Sequence, residues 1–484
     1  MTTPATVYLV GAGPGDPQLI TLKGHRLLQK ADVILYDRLA HPDLLRTLHA
    51  ELIYVGKSAS DHRVPQPEIA SIMIEKSREG KTVIRLKGGD PLLFAHASEE
   101  LDALATAGIP FEIVPGVTSL TGLAAYTGVP LTHKKISDSV ALITGHDPNA
   151  IDWAGLKGIS TLALFMAGPN CEEISARLIK AGWAQDTPTL AICSGARPTQ
   201  RSIESTLANL SKESLSPPTL ILIGQVVALR QRFNWFEHLP LFGQRIVITR
   251  DRAQSTELSE RFTAIGAEVV ECPVIEIRPL EFPIDHIADY DWIIFTSANG
   301  ARHFLDRLDD IRQLKGRIAA VGSSTKATIE AYRLKVDRVP KEYVAEGIVE
   351  AFAQDDLHGK RILLPRASVA RDVVPNELTK LGAQVDVMDV YRNVIPEDAA
   401  ARAIEAFQVK PHWVTFTSSS TVKNLLAVMD RGKLKGVRLA SIGPVTSDTL
   451  RKHGLTVDTE AEPHTMDALV AAIMRETAKS GQSS

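Results

Sequence analysis

The sequence predicts an α/β protein of two unlike halves, and three observations carry that prediction. Short apolar runs rich in β-branched residues alternate with segments of helical period along the whole chain, the pattern of parallel strands covered by helices. In the first half, four such runs end in glycine-marked turns. The second half repeats itself, in order, once.

The first run, Val7–Val10, leads into Gly11-Ala12-Gly13-Pro14-Gly15-Asp16-Pro17, which begins like the dinucleotide fingerprint G-x-G-x-x-G and then departs from it. The last glycine comes one position early, and Pro14 removes a backbone N–H from any phosphate cradle. A tight loop for a ligand without phosphate follows, with Asp16 in a structural turn. The run Asp32–Tyr36 places Asp37 just beyond a strand, where the residue alone reads as a cap and Lys57 reads as a solvated charge. Thr82–Leu86 precedes Lys87-Gly88-Gly89-Asp90-Pro91, and there Asp90 either accepts hydrogen bonds from a ligand or forms the turn before proline. Pro115-Gly116-Val117-Thr118-Ser119 precedes a helix over Leu120–Tyr126, which Thr118 and Ser119 are placed to cap. Further strands are expected at Val140–Thr144, before the turn Thr144-Gly145-His146, and at Thr161–Met166, Leu190–Cys193 and Thr219–Ile223. Met166, at a strand end, reads by itself as core packing.

Around Arg232–Gly243 aromatics, a proline and a glycine fit neither period, so the boundary is placed near residue 240. The expected domains are residues 1–238 and 244–478, joined by 239–243. Beyond it, Arg245–Arg250 recurs as Arg361–Arg366, Ile265–Val269 as Leu381–Val385, Asp291–Ser297 as His412–Ser418, and Ile318–Thr325 as Leu439–Thr446. Two similar α/β lobes follow, the first of about 244–279 plus 393–478 and the second of about 280–392, with a hinge at the two crossings. Ligands of open sheets bind beyond the carboxyl ends of the strands.

The 484 residues exceed one hydrophobic core, and 44% of them are apolar. A net charge of −3 argues against nucleic acid or an anionic membrane as the main partner. Cys171, Cys193 and Cys272 are few and scattered, which suggests neither disulfides nor a metal site. No apolar run reaches the length of about 18 residues that spans a membrane, and no export signal opens the chain. A cytoplasmic location is expected.

Taken together, Val10–Asp16, Leu22-Lys23-Gly24, Tyr36–Leu39, Val55-Gly56-Lys57, Arg85–Pro91, Val114–Ser119, Gly128–His133 and Ser216–Gly224 make residues 6–237 resemble the tetrapyrrole methylases, most closely those acting on uroporphyrinogen III. The resemblance implies a fold of two α/β subdomains holding S-adenosylmethionine, without a metal, at Pro14, Gly88, Gly89, Asp90, Leu93, Thr118, Ser119, Met166 and Gly195. It implies two methyl transfers to uroporphyrinogen III, giving precorrin-2 for sirohaem or cobalamin, with Asp37 as base and Lys57 as proton donor. It also implies a homodimer formed through this half. Eight substrate carboxylates call for cations, for which Arg38, Lys57, His62, Arg63, Arg85, His133 and Lys134 are candidates. The chain departs from the family where G-R-G-G-E-E is usual and it has Ala95-His96-Ala97-Ser98-Glu99-Glu100, and where F-Y-M-G becomes Leu164-Phe165-Met166-Ala167-Gly168. Ala196 replaces a common threonine, while Gly195, Thr199 and Gln200 are kept.

Residues 243–475 resemble the uroporphyrinogen-III synthases through Arg245–Arg250, Gly266–Val269, Phe295–Gly300, Val321-Gly322, Tyr343–Gly347, Tyr391, Phe416–Ser418 and Ile442–Pro444. The resemblance implies closure of hydroxymethylbilane with inversion of its last ring and no cofactor. It places Tyr391 at the candidate acid, although a tyrosine there serves equally as hinge packing. Ser297, Asn299, Ser418 and Thr446 follow strands, where they suit substrate carboxylates or helix caps alike; Arg250, Arg302 and Arg366 carry less weight. The alternative keeps the methylase fold with another tetrapyrrole acceptor and makes the second half a silent binding module. Asp37 with Lys57 favours the first reading.

Overall fold

The computed structural model describes residues 4–46, 48–56, 65–340, 345–370 and 372–481, so Lys57, His62 and Arg63 lie outside the described residues. The chain divides into two compact units. One holds the residues up to Gln244 with Phe262–Glu268 and the end of the chain from Thr477; the other holds Arg245–Arg261 and Val269–Glu476.

In the first unit, β1 (Val7–Gly11), β2 (Val33–Tyr36), β3 (Glu51–Tyr54), β4 (Val83–Lys87) and β5 (Phe111–Val114) form a sheet of order β3-β2-β4-β1-β5. All four pairings are parallel. The central runs are apolar on both faces and wholly buried at Val7, Leu9, Val10, Val33, Ile34 and Leu35, as strands sandwiched between helices require. A second sheet contains β6 (Val140–Thr144), β7 (Thr161–Phe165), β8 (Pro188–Cys193), β9 (Arg201–Thr206) and β10 (Thr219–Ile223) in the order β6-β7-β10-β8-β9. Only β6 and β7 run parallel there, and the remaining three pairings are antiparallel. The all-parallel expectation thus fails for this sheet. Its central strands β7, β10 and β8 are buried on both faces whichever way they run, so their apolar runs carry no sign of direction.

The second unit turns the sequence repeat into two sheets that exchange strands. Its first sheet orders β12 (Glu268–Glu271), β11 (Arg245–Ile248), β18 (Trp413–Phe416), β19 (Arg438–Ser441) and β20 (Thr459–Glu460). The other orders β13 (Glu276–Pro279), β17 (Gln384–Val394), β16 (Arg361–Ala367), β14 (Trp292–Phe295) and β15 (Arg317–Ala320). The run β12-β11-β18-β19 therefore repeats as β17-β16-β14-β15, each sheet combining the opening half of one copy with the closing half of the other. One detail differs from expectation. β13, placed in the first lobe by the boundary at 279, pairs antiparallel with β17 in the second sheet, as in Glu276↔Val394 and Pro279↔Tyr391.

Candidate functional site

In the first unit, the loops following β1, β4 and β5 are tied together by backbone. Gly89 N–H donates to Gly13 O at 2.8 Å, and Gly13 N–H returns a bond to Gly89 O at 3.3 Å. A Cβ on Gly116 would lie 2.2 Å from Gly89 O, so only glycine lets the third loop close on the second. Asp90 accepts from Leu92 N–H at 2.9 Å with one oxygen and from Gly116 N–H at 3.1 Å with the other. Its turn-forming reading is the one the structure adopts, with lone pairs left on both oxygens. Asp16 likewise caps its turn through Gln18 N–H at 2.8 Å and also accepts the Tyr126 hydroxyl. Thr118 caps the helix Ser119–Thr127 by accepting from Leu120 N–H at 3.4 Å.

Loops from the second sheet face these. A Cβ on Gly15 would meet Gly195 O at 2.4 Å, so the opening loop and the 194–196 loop touch. Phe94, His96, Met166, Ser194 and Ala196 all hold positive φ near 50°, five of the seven such non-glycine residues among the described ones. Backbone strain concentrated in loops at strand ends is characteristic of ligand sites. Met166 is 47% exposed and so is no core residue, which corrects the reading of the residue alone. With exposed Leu39, Leu92 and Phe94 it adds apolar surface to the polar backbone around it.

Asp37 stands one residue beyond β2. Its Oδ1 accepts from Leu39 N–H at 2.9 Å, and its Oδ2 lies 3.5 Å from Arg85 Nη2. Arg85 was a candidate for binding substrate carboxylates, but it is 4% exposed and belongs to a buried cluster. It donates to Glu100 at 3.2 Å and to Leu86 O at 2.9 Å, while Lys87 Nζ reaches both Glu100 oxygens at 2.9 Å. Burial and the neighbouring guanidinium pull the Lys87 ammonium below its ordinary range, against the pull of Glu100. Glu100 is completely buried because it shares the inner stripe Ala97, Glu100, Leu104 of the helix Ala97–Thr106. Ala97 and Ser98, standing where glycines are usual, lie in its first turn. Arg38 is exposed beside Asp37, and the His133 ring accepts from Lys135 N–H at 3.3 Å.

In the second unit, Ser297 caps the helix Ala298–Asp306 through Gly300 N–H at 3.0 Å, and its hydroxyl lies 3.2 Å from that of Tyr391. Tyr391 is buried and its ring lies 5.7 Å from His303. Burial pushes its phenol up, partly offset by Ser297. Asn299 accepts from Gln254 at 2.5 Å, and Gln254 accepts from Arg250 at 2.8 Å, linking elements of both sheets. Ser418 caps the helix Ser419–Val428, whereas Thr446 is 3% exposed and its hydroxyl is withdrawn from solvent. Gln254, His303, Lys87 and Glu100 were not singled out from sequence. A glutamate inside an apolar helical stripe was the available signal for the last.

The family model of tetrapyrrole (corrin/porphyrin) methylases matches residues 6–211, and that of uroporphyrinogen-III synthase HemD matches residues 256–471. A porphyrin biosynthesis protein HemD of Ruminiclostridium josui is 36% identical, with 97% of each chain covered. A uroporphyrinogen-III C-methyltransferase of Bacillus subtilis is 37% identical over 67% of this chain and 71% of its own. A siroheme synthase of Pseudomonas fluorescens is 47% identical over 48% of this chain and 53% of its own.

Proposed function

Since the chain belongs to the fused tetrapyrrole methylases and uroporphyrinogen-III synthases, making uroporphyrinogen III and methylating it toward sirohaem, we propose how its residues divide that work. Residues 1–238 are assigned to methylation and 244–478 to cyclisation. S-adenosylmethionine supplies an already activated methyl group when bound. Pro14, Gly88, Gly89, Asp90, Leu93, Thr118 and Ser119 would hold it from one side and Met166 and Gly195 from the other. The loops fit such a group: they offer glycine backbone and apolar side chains.

The observation that carries the methylase assignment is Asp37, a carboxylate fixed by Leu39 N–H and backed by a buried guanidinium, beyond the carboxyl end of the same parallel sheet as the glycine loops. Alkylating a pyrrole carbon requires that the ring lose its N–H proton, and Asp37 is placed to take it. Lys57 as the donor, and Arg63 with Arg38 and His133 as substrate contacts, rest on the family resemblance. In the second unit Tyr391 protonates the departing hydroxyl, with Ser297 orienting it, and Asn299 and Ser418 meet substrate carboxylates. A homodimer through the methylase half is part of this reading. So is the cytoplasm, which suits three buried free thiols; no described helix is long and apolar enough to cross a membrane.

Hydroxymethylbilane supplied without S-adenosylmethionine should yield the type III porphyrin after oxidation, and with it a precorrin-2 chromophore. Type I porphyrin alone would remove the synthase assignment, and type III that never converts would remove the methylase assignment. Replacing Tyr391 with phenylalanine should slow cyclisation by about 10²-fold, the low end of the range for removing a positioned general acid. Because its folded-state pKa is raised, the phenol stays protonated past its unfolded value of about 10. Its ionisation should therefore cause no loss of rate up to about pH 9.5, and a fall centred well below that would exclude it as the acid.

A further inference from the structure

The segment Asn234–Glu237 lies beyond the residues matched by the methylase family model, and its contacts reach both cofactor-side loops. One end works through a carboxylate. Glu237 accepts from Gln200 Nε2 at 2.7 Å, Ser202 Oγ at 2.5 Å and Arg230 Nη2 at 2.5 Å, Arg230 itself being 4% exposed. Gln200, 5% exposed, uses its carbonyl oxygen to accept from Ala196 N–H at 2.9 Å. Ala196 and Ser194 flank Gly195 with φ of 54° and 50°, a conformation that residues bearing a Cβ hold only when their surroundings impose it. Burial opposes charge on Glu237, but its three donors more than compensate and hold the carboxyl below the usual range.

The other end works through aromatic rings. Trp235 donates to Ala125 O at 2.9 Å, and Trp235 and Phe236 pack edge-on against Tyr126 with centroids 5.4 and 4.7 Å away. Tyr126 passes its hydroxyl to Asp16, the cap of the opening loop. Two unrelated sets of contacts thus start from four consecutive residues and end on the two loops that touch at Gly15 and Gly195.

We propose that Asn234–Glu237 is a strap that sets the geometry of the methyl-donor site, with Glu237 and Tyr126 as positioning residues for the Ser194–Ala196 and Gly11–Asp16 loops. The inference rests on the cofactor reading above. Neither residue touches the reacting atoms, so the strap governs cofactor affinity and leaves the tetrapyrrole contacts alone.

The test measures binding of S-adenosylhomocysteine to the full chain by calorimetry, together with KM for the methyl donor and for uroporphyrinogen III. Glu237→Ala should weaken binding about tenfold, as expected for loss of a charged hydrogen-bond acceptor, raise KM for the methyl donor in parallel and leave KM for uroporphyrinogen III unchanged. Tyr126→Phe keeps the rings, loses only the bond to Asp16, and should weaken binding in the same direction. The exchange Gln200→Glu with Glu237→Gln re-forms the bond chain with its charge moved and should restore affinity. An unchanged KM for uroporphyrinogen III, with a wild-type unfolding transition of the unit that holds residues up to Gln244, reports that the methylase unit is folded in the same preparations. Wild-type affinity in both single variants would overturn the strap alone, as would equal rises in both KM values. Failure of the wild-type chain to bind S-adenosylhomocysteine would overturn the cofactor reading and the strap with it.

Discussion

Replacing Asp37 by asparagine should lower the rate of methylation by about 10²–10⁴-fold, the range for removing a positioned general base, while leaving cyclisation untouched. The asparagine keeps the size of the side chain and an oxygen for Leu39 N–H, the bond that fixes Asp37 at 2.9 Å. It cannot take up the pyrrole proton. Arg85 loses a partner 3.5 Å away but retains Glu100 and Leu86 O, so the buried cluster survives and the fold with it. Conversion of uroporphyrinogen III to the precorrin-2 chromophore, followed beside S-adenosylhomocysteine binding, separates the two effects. A kcat loss with unchanged binding fits a base. Methylation at the wild-type rate would take Asp37 out of the chemistry.

What the sequence made legible follows the range of the interactions concerned. Strand positions such as Thr219–Ile223 and Leu190–Cys193 were readable because burial acts residue by residue on an apolar run. The exchange of strands in the second unit was readable because a duplicated sequence keeps its order, so β14 and β18 could be matched before any pairing was known. The direction of β8 and β10 was not, since a strand buried on both faces looks the same in either direction. Nothing local told which sheet Glu276–Pro279 would join. At the site, Asp90 and Thr118 carried local turn and cap signals that the structure uses. The pairing of Lys87 with Glu100 depends on how one helix lies against one strand, and sequence spacing of 13 residues does not report that.

That pair carries the largest expected effect on stability. Glu100→Gln preserves the shape of the side chain but leaves Lys87 and Arg85 as two buried cations, each no more than 4% exposed, without the carboxylate that binds both. Removing one partner of a buried ionic group costs about 3–5 kcal/mol. Since the chain has two units, the loss is read on the unfolding transition that S-adenosylhomocysteine shifts, by calorimetry of the whole protein. The pH dependence identifies the cause. Lys87 already titrates below its ordinary range in the folded chain, so the unfolded chain binds more protons between the two pKa values, and there stability rises with pH. Glu100 raises the Lys87 pKa, and its removal lowers that value further and widens the window downward. The deficit of the variant against wild type should be greatest near neutral pH and shrink toward about pH 10, where the unfolded lysine also loses its proton. A deficit that stays constant across that range would place the cost in packing and not in the stranded charge.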